Sequence, residues 1–101
     1  MQELRVYGLA KEFYWMVRGL RLPPELGGQL RRAAVSMINN TKEGSARRTL
    51  PDRLRFYDIA FGSAKESQGI LDTARVSDLK IVDRADHLAA CFYKMSRPKK
   101  R

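Results

Sequence analysis

Apolar residues recur at steps of three and four along almost all of the 101-residue chain, the repeat of a helix with one buried face. The first such stripe covers residues 6–20. The segment Leu22-Pro23-Pro24-Glu25 ends it, because two successive prolines cannot both lie inside a helix. The second stripe covers residues 26–41, and we expect its helix to end near Gly44, a residue type suited to the left-handed position after a helix. The first half of the chain therefore predicts two amphipathic helices.

The second half predicts two more helices. Thr49 can cap the third, and Pro51 is tolerated in a first helical turn. Ser77 or Asp78 can cap the fourth. The predicted core stripe of the third helix is Phe56, Ile59, Ala60, Ser63, Ser67, Ile70, Leu71 and Ala74. The predicted stripe of the fourth is Ile81, Ala85, Leu88, Phe92 and Met95.

Four stripes joined by three short connections predict an all-α fold, an up-down-up-down four-helix bundle. No alternating β-branched run and no Asn-Gly or Asp-Gly turn indicates a strand pair. We expect one bundle domain over residues 1–96, followed by a basic tail over residues 97–101.

The charge balance is the exceptional feature of the composition. Twenty Lys and Arg against eleven Asp and Glu leave a net charge of +9. This favours a polyanionic partner, namely nucleic acid, an anionic membrane surface or an acidic protein, although it also fits a merely solubilising surface. Arginine outnumbers lysine thirteen to seven, and its planar fork matches phosphate oxygens. The candidate nucleic-acid-binding residues are Arg31, Arg32, Lys42, Arg47, Arg48, Arg53, Arg55, Lys99, Lys100 and Arg101.

Several large side chains are left over once each helix has its core stripe. They occupy the back of the first helix and a second face of the third, and a small monomeric bundle has little reason to expose them. We interpret them as an oligomer interface rather than as stacking platforms for single-stranded nucleic acid, because Leu54 and Phe61 offer no charge to guide a phosphate backbone. The predicted interface residues are Tyr7, Tyr14, Trp15, Leu54, Tyr57 and Phe61.

Catalysis and metal binding have little support in the sequence. The single histidine, His87, and the single cysteine, Cys91, are four residues apart and could touch, yet no Gly-rich or oxyanion-forming loop accompanies them. They are too few for a structural zinc site. We therefore expect no enzyme, no metal and no cofactor. With no possible intrachain disulfide, no export signal and no apolar run long enough for a membrane span, we expect a cytoplasmic protein that does not enter a membrane.

A set of residues between 29 and 66 carries a family resemblance: the segment 29–36 (QLRRAAVS), Asn40, Glu43, Gly44, Arg47, the helix start at residues 49–52, the segment 60–63 (AFGS) and Glu66. In these residues the sequence resembles the 23S rRNA-intervening sequence proteins. The resemblance extends at lower stringency over about residues 4–95. Thr41 and Lys42 depart from the family pattern, which has an apolar pair there, and Ile38 stands where proline is frequent.

The resemblance implies a left-handed bundle that assembles into a ring-like homopentamer with a basic surface. The accessory variability protein of diversity-generating retroelements is similar to this family, and it binds nucleic acid and a reverse transcriptase. Two hypotheses follow for this chain. It is a non-enzymatic, oligomeric accessory protein that binds RNA or DNA by charge and shape, or it is an interaction scaffold for an acidic partner such as a reverse transcriptase.

Overall fold

The structure, a computed structural model, describes residues 2–98. It contains four helices, α1 (Gln2–Arg18), α2 (Pro24–Ser45), α3 (Leu50–Thr73) and α4 (Leu79–Ser96), and no strand within these residues. The prediction of an all-α fold is confirmed.

The start signals read from the sequence act as predicted. The Thr49 hydroxyl accepts a hydrogen bond from the backbone N–H of Asp52 at 3.3 Å, which caps α3. The Asp78 carboxylate accepts from the backbone N–H groups of Lys80 at 3.0 Å and Ile81 at 3.4 Å, which caps α4. These side chains satisfy N–H groups that have no partner within their own helix.

α2 ends at Ser45, close to the predicted end near Gly44, but the backbone conformation at the helix ends differs from expectation. Gly44 lies inside α2 with a negative φ, so its predicted left-handed role is wrong. Instead Arg75 takes the left-handed conformation, with φ of 57°, just after α3. There the N–H of Val76 donates to the carbonyl of Leu71, and that of Arg75 donates to the carbonyl of Asp72. This pair of bonds is a Schellman motif, which usually has glycine at the position that Arg75 occupies.

Each helix packs against two others around a shared core, in the pairs α1 with α2, α2 with α3, α3 with α4, and α1 with α4. Glu12 on α1 pairs with Arg84 on α4 at 2.8 Å. Nearer the start of α1, Arg5 lies 3.4 Å from His87, which is nearer the end of α4. The four-helix monomer is a rod of 43 × 21 × 20 Å.

The core follows the predicted stripes on α1, α2 and α4, with Phe13, Leu30, Met37, Leu88 and Phe92 fully buried. On α3 the prediction is wrong in the first half of the helix.

Tyr57, expected at a subunit interface, is only 5% exposed and belongs to the core of the monomer, whereas Ile59, expected in the core, is 44% exposed. The reason lies in α2, where Gly44 has no side chain and leaves room for the Tyr57 ring.

Short polar side chains join α2 to α3. The Ser63 hydroxyl donates to the Ser36 hydroxyl at 2.7 Å, and the Asn40 amide donates to the Ser36 carbonyl at 2.8 Å. Buried Thr41 and Ser67 donate to carbonyls one turn earlier, which satisfies their hydroxyls. The Ser36–Ser63 bond therefore joins α2 to α3, and Asn40 bonds to Ser36 from within α2. All three residues carry part of the family resemblance.

Candidate nucleic-acid interface

Five of the predicted phosphate-binding residues lie together where α2 meets α3. We call this group the corner patch, and it comprises Lys42, Arg47, Arg48, Arg53 and Arg55. Two of its members have acidic neighbours: Arg47 pairs with Glu43 at 2.6 Å and Arg55 with Asp52 at 3.0 Å. Both pairs are exposed, so they contribute little to stability. With five cations against two carboxylates, the corner patch stays positive.

An aromatic ring lies among these cations. The guanidinium carbon of Arg55 is 4.4 Å from the centroid of the Phe56 ring, and that of Arg47 is 5.1 Å from it. Phe56, which the periodicity of the third helix predicted in the core, is only partly buried. Arg55, its direct neighbour in the sequence, was the signal for half of this arrangement, whereas nothing local pointed to Arg47. The corner patch thus combines fixed guanidinium groups with an aromatic surface.

Arg31 and Arg32 belong to a second basic group. They are about 15 Å or more along α2 from Lys42, given the rise of a helix. Together with Tyr14 they line a shallow cavity of about 290 Å³ between α1 and α2. Arg18 donates to the Tyr14 hydroxyl at 3.0 Å. We call this group, Tyr14, Arg18, Arg31 and Arg32, the α1–α2 patch. The structure therefore divides the predicted cations between two surfaces.

The predicted basic tail is only partly within the described residues. Arg97, just after α4, stacks on Phe61 and Tyr93 at 4.9 and 4.5 Å and pairs with Asp58 at 3.4 Å. It is therefore held against the bundle by contacts with α3 and α4. Lys99, Lys100 and Arg101, which the sequence assigned to nucleic-acid binding, lie outside the described residues.

The residues predicted to form a subunit interface are distributed over several surfaces. Trp15 is 67% exposed and packs edge-on against Tyr14 at 5.2 Å between ring centroids. Phe61 packs edge-on against Tyr93 at 5.6 Å, on the α3–α4 side. Leu54 and Tyr7 are half-buried. Tyr93 was missed by the sequence analysis, although Arg97 four residues later was a signal for a stacked pair.

Tyr7 borders a cleft at the end of the bundle. The ammonium groups of Lys11 and Lys42 lie 4.6 and 5.1 Å from the centroid of its ring. The cleft has a volume of about 250 Å³, and residues of α1, α2 and α3 line it. They are Glu3, Leu4, Tyr7, Thr41, Lys42, Ser45 and Arg53.

Beside this cleft, the Tyr57 hydroxyl donates to the Glu3 carboxylate at 3.3 Å. Burial raises the pKa of Tyr57 above its ordinary value of 10.0, and the negative charge of Glu3 raises it further, while Arg53 opposes the shift. Tyr57 therefore stays protonated and holds the Glu3 carboxylate at the edge of the cleft.

His87 and Cys91 are in contact, as their spacing allows. The His87 Nε2 is 3.6 Å from the Cys91 Sγ, and an Arg5 nitrogen is 3.8 Å from the same sulfur. The thiol belongs to a residue only 5% exposed, so a substrate would have to displace its neighbours to reach it. We assign no reaction to this pair.

Two structural findings concern other classes of site. Among residues 2–98, no three His, Cys, Asp or Glu side chains come together in a way that could hold a metal ion. In the same part of the chain, no helix combines the length and apolar character that crossing a membrane requires.

The fold and these surfaces define a small all-α protein with arginine-rich, aromatic-lined patches. The family model described as 23S rRNA-intervening sequence protein matches residues 2–98, and the chain belongs to this family. No curated protein and no solved structure matches the chain significantly.

Proposed function

We propose that this protein is a non-enzymatic, cytoplasmic accessory protein that binds RNA or DNA through its two basic patches. The observation that carries the proposal is the corner patch, where five cations from α2, α3 and their connection lie together and two of them, Arg47 and Arg55, lie over a partly exposed Phe56 ring. A guanidinium group can donate two hydrogen bonds to the oxygens of one phosphate, and a base or ribose can stack on an aromatic ring.

The exposed cations without acidic partners carry most of the expected affinity. Within residues 2–98, neither Arg31 nor Arg32 nor Arg48 pairs with a carboxylate, and all three are exposed. Such residues can neutralise phosphates without first breaking an ion pair. Each phosphate they neutralise releases counterions, which makes binding strongly dependent on salt.

The arrangement of surfaces also supports a ring-like homo-oligomer. The contacts support antiparallel neighbours in an up-down-up-down bundle. Along α1, Arg5 meets His87 and the later Glu12 meets the earlier Arg84 of α4. Asp58, early in α3, pairs with Arg97, just after α4. The aromatic groups around Trp15 and Phe61 lie on different helices. A ring needs two different surfaces that meet head to tail, whereas a two-fold dimer needs one that matches itself. A pentameric ring, implied by the family resemblance, is the form we propose.

Binding to RNA and DNA as a function of salt tests the proposal. We expect a linear fall of log affinity with log salt, with a slope of about −0.7 to −0.9 for each phosphate contacted. The variant Arg48→Gln/Arg55→Gln should flatten this slope by about 1.4 to 1.8. The control Lys65→Gln/Lys80→Gln removes the same charge from exposed positions of α3 and α4 and should change it less.

Equal slopes for the two variants, with both folded, would place the contacts elsewhere. Absence of binding to any RNA or DNA at low salt would defeat the proposal. It would favour the alternative, a scaffold for an acidic protein partner.

A further inference from the structure

The cleft beside Tyr7 combines two kinds of surface that the sequence analysis assigned to different functions. Tyr7 was placed at a subunit interface, whereas Lys42 and Arg53 were placed among the phosphate-binding residues. The structure brings all three to one cavity of about 250 Å³. Leu4, which is 67% exposed, adds an apolar surface at its mouth.

We propose that this cleft binds one unpaired nucleotide of a single-stranded nucleic acid. The base packs against Tyr7 and Leu4, and the phosphate binds Lys42 and Arg53. This inference rests on the proposed function and goes further, because it assigns to an unstacked nucleotide a cleft that shares Lys42 and Arg53 with the corner patch. A volume near the lower end of ligand pockets, about 300 Å³, admits one small group and excludes a duplex, whose bases are stacked inside.

The two lysines over Tyr7 support this assignment. An exposed cation over an aromatic ring gains only about 0.5 to 1 kcal/mol, so Lys11 and Lys42 can leave the ring at little cost. A phosphate offers them a full negative charge. As Lys42 turns to the phosphate, a face of the Tyr7 ring becomes available to the base.

Glu3 sets the orientation of the nucleotide. Its carboxylate lines the cleft and accepts a hydrogen bond from Tyr57, so it is held on one side. A phosphate placed there would be repelled. Lys42 on α2 and Arg53 on α3 provide the positive side of the same cleft. The phosphate therefore lies towards α2 and α3, and the base lies along α1.

The test measures fluorescence anisotropy with a labelled single strand of about 12 nucleotides and with a duplex of the same length. Tyr7→Leu keeps an apolar side chain at a half-buried position and removes the ring. We expect it to weaken single-strand binding by about 5- to 150-fold, the effect of one stacked base, and to leave duplex binding unchanged. The matched control is Tyr93→Leu, which removes an exposed tyrosine from the α3–α4 side. It should change neither affinity by more than about twofold.

A second variant keeps the test decisive if Tyr7→Leu does not fold. Ser45→Leu fills the cleft from an exposed position at the end of α2 and should cause the same selective loss. The wild-type protein could bind both probes while the folded variants leave both affinities unchanged. That result would overturn the proposal that the cleft binds a nucleotide and leave the proposed function standing. A wild-type protein that binds neither probe would overturn both.

Discussion

Gly44 on α2 faces the ring of Tyr57 on α3 so closely that a β-carbon on the glycine would lie 2.5 Å from Cε1 of the tyrosine. The Tyr57 ring is buried, and its hydroxyl reaches Glu3 on α1. One missing side chain therefore permits a tyrosine to link three helices beside the cleft.

Gly44→Ala should destabilise the protein. Overpacking a filled core costs about 1 to 3 kcal/mol, and alanine's better helix propensity returns about 1 kcal/mol. The obstructing Tyr57 ring is buried and its hydroxyl is hydrogen-bonded, so it cannot move away easily. We therefore expect the free energy of unfolding, measured in urea, to fall by about 1 to 2 kcal/mol. Gly62→Ala is the control, since nothing lies within 4 Å of its added carbon, and it should stabilise by up to about 1 kcal/mol. Equal effects of the two substitutions would contradict this account.

Tyr57→Phe should remove part of the alkaline sensitivity of the fold. The folded state raises the pKa of Tyr57 above 10.0, so its stabilising contribution is complete below pH 10. As pH rises above 10 the unfolded chain loses the proton first, and that contribution declines. Wild type should therefore lose more free energy of unfolding than Tyr57→Phe between about pH 8 and about pH 11. Parallel losses in the two proteins would show that Tyr57 contributes nothing to the pH dependence.

Arg75→Gly should stabilise the end of α3. A left-handed conformation costs an L-residue about 1 to 2 kcal/mol, and glycine avoids this cost but gains entropy when unfolded. We expect a net gain of about 0.5 to 1 kcal/mol in thermal or urea unfolding. Arg75→Ala keeps the strained conformation while removing the charge, so it should give no such gain. A gain of equal size for alanine would mean that charge, rather than φ, is responsible.

Trp15→Ala should weaken the proposed oligomer. Trp15 is 67% exposed on one chain, and burying it between subunits would stabilise their contact. Light scattering on a sizing column should give about 58 kDa for five chains of 11.6 kDa, and the variant should dissociate at higher concentration. Leu79→Ala, another exposed apolar residue at 73%, should keep the wild-type mass. A wild-type monomer at micromolar concentration would defeat the prediction and leave Trp15 available for stacking on nucleic acid.

Much of the fold could be predicted because it depends on local signals. Thr49 and Asp78 cap their helices as expected, since capping needs only a side-chain oxygen and the next two or three N–H groups. The core face of α3 could not be predicted in the same way. Both Tyr57 and Ile59 are large and apolar enough to be buried, and the periodicity that placed Ile59 in the core carries no information about the space that Gly44 leaves on α2.

The candidate site was predictable in its residue types but not in its grouping. Arginine content and charge pointed to phosphate, and the rise of the predicted second helix already separates Arg31 and Arg32 from Lys42 by about 15 Å or more. Nothing local, however, indicated that Tyr7 joins Lys42 and Arg53 at one cleft. Such neighbours come from three different helices, and their distance depends on how those helices pack.

The sequence by itself determined four helices, most of their boundaries and three of their four buried faces, because hydrophobic periodicity and capping act within a few residues. Only the tertiary structure decided which face of α3 is buried, because the space that Gly44 leaves on α2 selects Tyr57 over Ile59. It also decided which charges share a surface. Those choices depend on contacts between residues far apart in the chain, where volume and distance, rather than local preference, set the free energy.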